Sequence, residues 1–266
     1  MEINTVRAGR VSLDDLTVHG PDVDATVSNL ERHGVAVLPG WLSPDRVAAV
    51  AAEFDSAFAT VDAEPEELTD TGKDLSRAYG RTSTGEHLKY GLAELAESQP
   101  ATYETFRHPF MRAVADGYLG VPNTVNRHVV LTNDYRPGDE VIGYHFDEIR
   151  SLKFLVYLDD VDETNGAFEI IPGTQHQGAQ VRTSEWLRTG DYNSIRIRVF
   201  DSFTDDLFYT LFGHFKPFLA LRGVPVHAPA GTMIAFTTDT IHRAGQLQPG
   251  RSRRVARAHS YSGLWP

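Results

Sequence analysis

The sequence of 266 residues contains no cysteine. Disulfide bonds, thiolate metal sites, iron–sulfur clusters and cysteine nucleophiles all need a thiol, so all four are excluded. A metal site in this protein has to be built from His, Asp and Glu. Those ligands suit the harder divalent ions such as Fe(II) and Mn(II).

The sequence is also poor in positive charge. It has 25 Lys and Arg against 36 Asp and Glu, which gives a formal net charge of −11 at pH 7. Binding to a phosphate backbone needs several basic residues on one face, so we expect no nucleic-acid partner. Basic residues do cluster near the C-terminus, at Arg243, Arg251, Arg253, Arg254 and Arg257.

Long apolar runs are absent as well. The first residues lack the apolar segment of a secretory signal, and no run approaches the roughly 20 residues of a membrane span. We therefore expect a cytoplasmic protein with no membrane partner. No repeat or long linker divides the chain, which favours a single domain over residues 1–266. The oligomeric state is left open.

Residues 1–125 have a mostly helical pattern. The Ser-Pro pair at 43–44 is a helix start signal, and apolar residues follow it at helical spacing. A second helix is predicted over about 100–117. The short apolar run of residues 34–41 predicts a strand, and the polar stretch of about 62–88 predicts a loop.

Residues 126–262 have the pattern of a β domain, with short runs rich in β-branched and aromatic residues between turn sequences. With the helices, they predict a β-sandwich or barrel that has a helical outer layer. An aromatic-rich insert over about 178–225 is either a lid or pocket wall, or a satellite core under a surface excursion. Strands are predicted at 129–135, 151–161, 167–172, 232–238 and 254–261.

The pair His145 and Asp147 is the sharpest local feature of the sequence. Alternate residues of a strand share one face, so both side chains would point the same way, about 7 Å apart along the chain. An imidazole nitrogen and a carboxylate oxygen can then converge on one cation. Chance alone gives roughly one His-X-Asp in a chain of this composition. The alternative interpretation is a surface hydrogen-bonded pair.

His242 supplies a distal ligand that turns this pair into a metal-site hypothesis. It follows the predicted strand 232–238, and with His145 and Asp147 it forms a 2-His-1-carboxylate set that leaves three positions open for co-substrate and O₂. His227 is the main competitor, but it lies in a Pro-flanked loop. Of the other histidines, His128, His176 and His214 are individually more typical of core or surface roles.

An arginine downstream of His242 is expected to anchor a dicarboxylate co-substrate, since Arg binds carboxylates bidentately. A hairpin at residues 248–250 would return the next strand alongside the strand that carries His242. Arg253 is the preferred anchor and Arg251 shares its face, while Arg254 and Arg257 are expected to point in different directions. The alternative interpretation is a solvated basic edge strand.

With these residues in place, the sequence resembles the phytanoyl-CoA dioxygenase-like family of Fe(II)/2-oxoglutarate-dependent oxygenases. The resemblance is strongest in three blocks, RPGDEVIGYHFDE (136–148), LVYLDDVDETNGAFEIIPGTQH (155–176) and APAGTMIAFTTDTIHRAGQLQPGRSRRVARAHSY (228–261). It implies a mainly β fold with flanking helices, built on a double-stranded β-helix (jelly-roll, cupin-like) core over 126–262. Residues 1–125 would form its N-terminal helical layer.

The resemblance also implies the chemistry. Fe(II) would be held by His145, Asp147 and His242, and the far carboxylate of 2-oxoglutarate would pair with Arg253, eleven residues after His242. The reaction would be an oxidation, most simply a hydroxylation, coupled to release of succinate and CO₂. The carboxylate of Asp147 favours oxygenation over halogenation, because related halogenases have Gly or Ala there. The family's Pro-Gly-Ser-His is Pro-Gly-Thr-Gln-His here, which leaves the role of His176 open.

The expected partners are O₂ and a small polar or natural-product substrate, as in secondary metabolism. Asn133 and Lys153 are additional candidates for the co-substrate pocket, although a structural hydrogen bond or a surface Lys explains them equally well. Two other functions remain possible for the same core. One is a cupin-like metal-dependent isomerase or epimerase that does not use O₂, and the other is a non-enzymatic jelly-roll binding module without a metal.

Overall fold

The computed structural model describes most of the predicted core of the protein. The residues described are 11–59, 77–81, 84–121, 123–124, 128–137, 145, 147, 150–180, 183 and 223–262. The predicted insert at 178–225, with His214, lies almost entirely outside these residues, so its role as a lid or wall stays a prediction. None of the described helices is long and apolar enough to cross a membrane.

Most of the described helices lie in the first 120 residues and cover one side of the large sheet, and residues 175–180 form a further helical stretch. The predicted start at 43–44 is confirmed, since the Arg46 backbone N–H donates to the hydroxyl of Ser43. The single helix predicted over 100–117 is wrong. Pro109 cannot continue a helix, so the segment forms two helices that are separated at residues 107–108. The helices of the first 120 residues, as far as they are described, are α1 Leu13–Leu16, α2 Val23–His33, α3 Pro44–Ala59, α4 Leu92–Ser98, α5 Pro100–Phe106 and α6 Pro109–Leu119.

The strands begin earlier in the chain than the sequence pattern predicts. The strand in 34–41 and those after residue 125 are confirmed, but the loop predicted at 62–88 is wrong where it is described, because β2 and β3 lie in its second half. Thus residues 1–125 also contribute to the sheet. The strands are β1 Val35–Leu38, β2 Arg77–Arg81, β3 Gly85–Gly91, β4 Asn123–Thr124, β5 His128–Asp134, β6 Leu152–Tyr157, β7 Phe168–Ile170, β8 Val224–Pro225, β9 Met233–Thr237, β10 His242–Ala244 and β11 Arg253–Ser262.

Two antiparallel sheets form the core in the described residues. The larger has eight strands in the order β1-β9-β6-β11-β5-β3-β2, with β4 beside β11, and the smaller has the order β10-β7-β8. Residues of both sheets share one apolar cluster, which includes Leu155, Ile234, Phe168 and Val226. The two sheets therefore pack face to face, which is the jelly-roll arrangement expected.

Alternation along the strands gives the large sheet two different faces. On strand β6, Phe154 and Val156 belong to the apolar cluster that packs against the helices. Leu155 and Tyr157 belong to the cluster between the sheets, and Lys153 shares their face. We call the second face the inner face, because it looks toward the small sheet.

The predicted hairpin between the strands of His242 and Arg253 is wrong. Strand β10 pairs with β7 in the small sheet, whereas β11 lies between β5 and β6 in the large sheet. The turn at residues 248–250 therefore carries the chain from one sheet to the other. Because β11 is a central strand, the alternative of a solvated basic edge strand is also wrong.

Candidate metal centre

His145 and His242 are held side by side by their own backbones. The N–H of each residue donates to the carbonyl of the other, at 2.9 Å and 2.8 Å. This closed antiparallel pair places the two imidazole rings on the same side, with centroids 4.6 Å apart. The local backbone therefore fixes the relative position of two ligands that are 97 residues apart in the sequence.

Asp147 completes a three-residue cluster with these histidines. Its backbone N–H donates to the carbonyl of Thr238 at 2.9 Å, and its Oδ1 lies 3.6 Å from Nε2 of each histidine. The three ligand atoms lie within 4.8 Å of one another. Neighbouring ligands of an octahedral ion at bond lengths of about 2.1 Å are about 3 Å apart, so a small inward movement fits one ion.

The ring of His242 is oriented for metal binding by a backbone carbonyl. Its Nδ1 lies 2.8 Å from the carbonyl oxygen of Thr240, so Nδ1 is the protonated nitrogen and Nε2 directs a lone pair into the cluster. Burial, followed by the proximity of His145, lowers the pKa of His242 to about 3, which keeps the ring neutral. A neutral imidazole is the form that binds a metal.

Gly34 holds the segment that carries Thr240 in place. Its φ of 75° ends helix α2 in the left-handed conformation, and its carbonyl accepts a hydrogen bond from the Thr240 hydroxyl at 3.2 Å. A Cβ at position 34 would collide with that hydroxyl. Glycine is therefore required here both for the left-handed backbone and for the close approach.

Lys153 contacts the second carboxylate oxygen of Asp147. Burial alone would raise the pKa of Asp147, but the Lys153 ammonium and the two imidazoles outweigh it and hold that pKa well below its usual range. Because Lys153 engages Oδ2, Oδ1 is directed toward the histidines. The side chains of His145 and Asp147 remain 16% and 20% exposed, so the cluster is open on one side.

Arg253 lies on the inner face of β11 and forms a buried ion pair with Asp134 of β5. One terminal nitrogen of Arg253 donates to Asp134 Oδ2 at 2.6 Å, and both side chains are about 5% exposed. The Nε–H of Arg253 is buried and has no hydrogen-bond partner in the described part of the chain. The guanidinium is thus only partly satisfied and needs another acceptor.

Asn133 and two of the other predicted arginines, Arg251 and Arg254, lie away from the cluster. Asn133 is on the face of β5 opposite Asp134 and bonds the Glu86 carboxylate at 3.4 Å, so the structure does not bring it to the cluster. Arg251 precedes β11 and pairs with Asp162, while Arg254 pairs with Asp159. The prediction for Arg257 is wrong: at an even spacing from Arg253 it shares the inner face.

The competing histidines do not join the cluster. His176 and His227 are exposed, and His128 begins strand β5 without belonging to the three-residue group found among the described residues. Sequence reasoning missed Thr240 and Asp134. Thr240 acts through its backbone, which leaves no trace in the sequence, and Asp134 is identified only when the register opposite Arg253 is known.

Residues 30–255 match the phytanoyl-CoA dioxygenase (PhyH) family. The chain belongs to the phytanoyl-CoA dioxygenase family. Membership confirms the resemblance inferred from the three sequence blocks, and with it the expectation of a non-haem Fe(II)/2-oxoglutarate type of enzyme. No curated protein sequence matches the chain significantly.

Solved structures with the same fold include several enzymes of this type. EctD from S. alaskensis with bound Fe has 16% identity and a TM-score of 0.59 over 91% of this chain and 77% of its own. SnoN, an epimerase from nogalamycin biosynthesis solved with Fe3+ and alpha ketoglutarate, has 18% identity, a TM-score of 0.57, and coverage of 90% and 83%. SnoK, a carbocyclase from nogalamycin biosynthesis, has 15% identity and a TM-score of 0.57 over 95% of this chain and 86% of its own. Likeness at these identities establishes the jelly-roll fold and leaves the reaction to the site.

Proposed function

We propose that this protein is an Fe(II)/2-oxoglutarate-dependent dioxygenase that hydroxylates a small-molecule substrate. The observation that carries the proposal is the cluster of His145, Asp147 and His242, in which two imidazole nitrogens face one carboxylate oxygen. Two neutral nitrogen ligands and one carboxylate on one side of an ion are the ligand set of oxygen-activating ferrous enzymes. The family and the neighbouring structures support the same class of chemistry.

The donor set of the cluster fits ferrous iron. His242 is neutral with Nε2 directed inward, Asp147 is ionised with Oδ1 directed inward, and the cluster is open on the side of His145 and Asp147. Three protein ligands leave room for a chelating co-substrate and for O₂. When bound, the iron centre supplies the oxidising chemistry that no protein side chain can provide.

Arg253 would bind the far carboxylate of 2-oxoglutarate. Its buried Nε–H lacks an acceptor in the described residues, and its pairing with Asp134 through one terminal nitrogen holds the guanidinium in a fixed orientation. A carboxylate of the co-substrate would satisfy the remaining donors bidentately. This role for Arg253 agrees with the family pattern, in which an arginine follows the distal histidine by eleven residues.

Lys153 would serve the reaction by holding Asp147 ionised and oriented. It occupies Oδ2 and leaves Oδ1 for the metal, which makes Asp147 a one-oxygen ligand. Two aromatic rings shield the distal ligand His242 from water. The ring centroids of Phe236 and Phe168 lie 4.8 Å and 5.6 Å from that of His242. The carboxylate also occupies a position that a halide would need, so oxygenation is favoured over halogenation.

We favour a natural product as the substrate, and therefore a role for this protein in secondary metabolism. Two neighbours of the same fold come from nogalamycin biosynthesis, which supports this choice. Those neighbours are an epimerase and a carbocyclase, which shows that proteins of this fold carry out several reactions. We propose hydroxylation for this protein because it is the simplest of the oxidations that such an iron site supports.

The test is to replace His145 and Asp147 separately with Ala. We expect iron content to fall to the level of the apoprotein and succinate formation from 2-oxoglutarate to fall at least about a hundredfold. Replacing a residue that only hydrogen-bonds to a metal ligand already lowers metal affinity or activity about ten- to a hundredfold, and a ligand itself should matter more. His176→Ala is the matched control, since His176 is exposed and outside the cluster. It should retain wild-type iron and turnover.

Two outcomes would count against the proposal. Full succinate formation in both Ala variants would show that the cluster does not hold the working metal. Retained metal in the wild-type protein without any 2-oxoglutarate consumption would favour the cupin-like isomerase instead.

A further inference from the structure

One short turn contacts two of the three residues of the metal cluster. It consists of residues 238–240, between strands β9 and β10, and we call it the ligand turn. The carbonyl of Thr238 accepts the backbone N–H of Asp147 at 2.9 Å, and the carbonyl of Thr240 lies 2.8 Å from Nδ1 of His242. The positions of both ligands therefore depend on how the peptide groups of this turn are oriented.

The ligand turn is also attached to the chain beyond Asp147. The backbone N–H of Thr238 donates to the Ser151 carbonyl at 2.9 Å. The hydroxyl of Thr238 accepts from the Ser151 N–H at 2.8 Å and lies 3.0 Å from the Ser151 carbonyl, to which it donates. Thr238 thus binds the first ligand segment at Asp147 and again four residues later.

Asp239, in the middle of the ligand turn, places a carboxylate in the interior. The residue is 2% exposed, and its Oδ2 lies 3.2 Å from Nε of Arg150. Gly178 packs directly against the turn, since a Cβ at that position would collide with the Asp239 carbonyl. A neutral Asn or Ser forms turns as well as Asp does, so the turn itself does not need the charge. Burying a carboxylate costs free energy unless a cation compensates, which indicates a role for the ion pair.

The ion pair links the two chain segments that supply the ligands. Arg150 is three residues after Asp147, and Asp239 is three residues before His242. The side chain of Arg150 is 40% exposed, so the pair extends from the buried turn toward the surface. Opposite charges on the two segments favour the one arrangement in which they meet.

We propose that Arg150 and Asp239 are positioning residues of the metal centre. Their ion pair fixes the ligand turn, so that its carbonyls keep Asp147 and His242 in the arrangement that one ion requires. This inference rests on the proposed function, because it assumes that the cluster binds a metal. It makes a partly exposed arginine, which is not a ligand itself, a determinant of metal affinity.

The test measures Mn(II) affinity by calorimetric titration and the visible absorption of bound Co(II), which depends on ligand geometry. We expect Arg150→Met to weaken Mn(II) binding about ten- to a hundredfold, as for other residues that orient a metal ligand, and to alter the Co(II) spectrum. Arg150→Lys keeps the charge and should stay within a few fold of wild type. Asp239→Asn should resemble Arg150→Met, and the double variant should be no weaker than either, because both changes break one interaction.

Arg254→Met is the matched control, since it breaks an ion pair of the same kind, with Asp159, away from the cluster. It should keep wild-type Mn(II) affinity and Co(II) absorption even where denaturation shows lower stability. Wild-type metal binding in folded Arg150→Met or Asp239→Asn protein would overturn the inference. An equal loss in Arg254→Met, or additive losses in the double variant, would overturn it as well. Wild-type protein that binds neither ion would instead reject the proposed function.

Discussion

The two faces of the large sheet have different compositions, and strand β11 shows both. Ala256 and Ala258 are fully buried in the core that packs against the helices. From the same strand, Arg253 and Arg257 point to the inner face, where Arg253 forms a buried ion pair with Asp134. Burying the alanines stabilises the fold, whereas burying the charge of Arg253 costs free energy, and the proposed binding of 2-oxoglutarate accounts for that cost. Because side chains alternate along the strand, one face of β11 contributes to stability and the other face contributes to the proposed site.

The comparison predicts its largest effect for Phe154→Ala. Phe154 is fully buried on the helix-facing side, so the change should lower the free energy of unfolding by about 3–5 kcal/mol. Because its side chain points away from the cluster, metal affinity of the folded variant should be unchanged. Chemical denaturation and Mn(II) titration measure the two quantities. Phe154→Leu, as the control, should cost clearly less than Phe154→Ala, because it keeps most of the buried apolar volume.

If metal affinity fell together with stability in folded Phe154→Ala protein, the separation of the two faces would be wrong. The site would then depend on the packing of the helix-facing core, and the sheet would transmit changes between its faces.

Arg253→Met is the counterpart on the inner face. We expect 2-oxoglutarate to bind about ten- to a hundredfold more weakly, because a charged hydrogen-bonding group is lost, while Mn(II) affinity is retained. Stability should also fall, since Asp134 is left buried without its partner. Calorimetric titration and denaturation measure these effects.

A second substitution separates binding from stability. In Arg253→Met with Asp134→Asn, the uncompensated carboxylate is removed, so much of the stability should return while 2-oxoglutarate binding stays weak. Asp134→Asn alone should bind 2-oxoglutarate at least as tightly as wild type. Wild-type co-substrate affinity in the Arg253→Met variant would assign the anchor to another residue.

The sequence predicted the elements that depend on local pattern. The start of α3 follows from its Ser-Pro pair, and strands such as β5 and β9 follow from apolar runs between turns. Strand β3 escapes prediction because its sequence, GEHLKYG, alternates apolar residues with polar residues that point to the inner face, and such a polar segment resembles a loop. A polar inner face therefore hides a strand from a reading based on long apolar runs.

The site was predictable to the extent that its residues are close in sequence or have a fixed spacing. The His145 and Asp147 pair and the step from His242 to Arg253 are of this kind. What could not be predicted depends on register between distant strands. The pairing of Arg253 with Asp134 appears only when strands β5 and β11 are aligned.

The smallest predicted effect concerns Tyr157, on the inner face of strand β6. Its hydroxyl donates to the Val226 carbonyl and accepts from the Phe168 N–H, and burial raises the pKa of Tyr157 to about 12. An unfolded tyrosine loses its proton near pH 10, so stability is complete below that pH and falls as pH rises toward 12. The loss due to Tyr157 should be about 1.4 kcal/mol by pH 11. Tyr157→Phe should remove this part of the slope of unfolding free energy between pH 9 and 11, whereas Tyr135→Phe, at an exposed position, should keep it. An unchanged slope in Tyr157→Phe would mean that the phenol of Tyr157 is accessible to water in the folded protein, and that its two hydrogen bonds do not hold it in the core between the sheets.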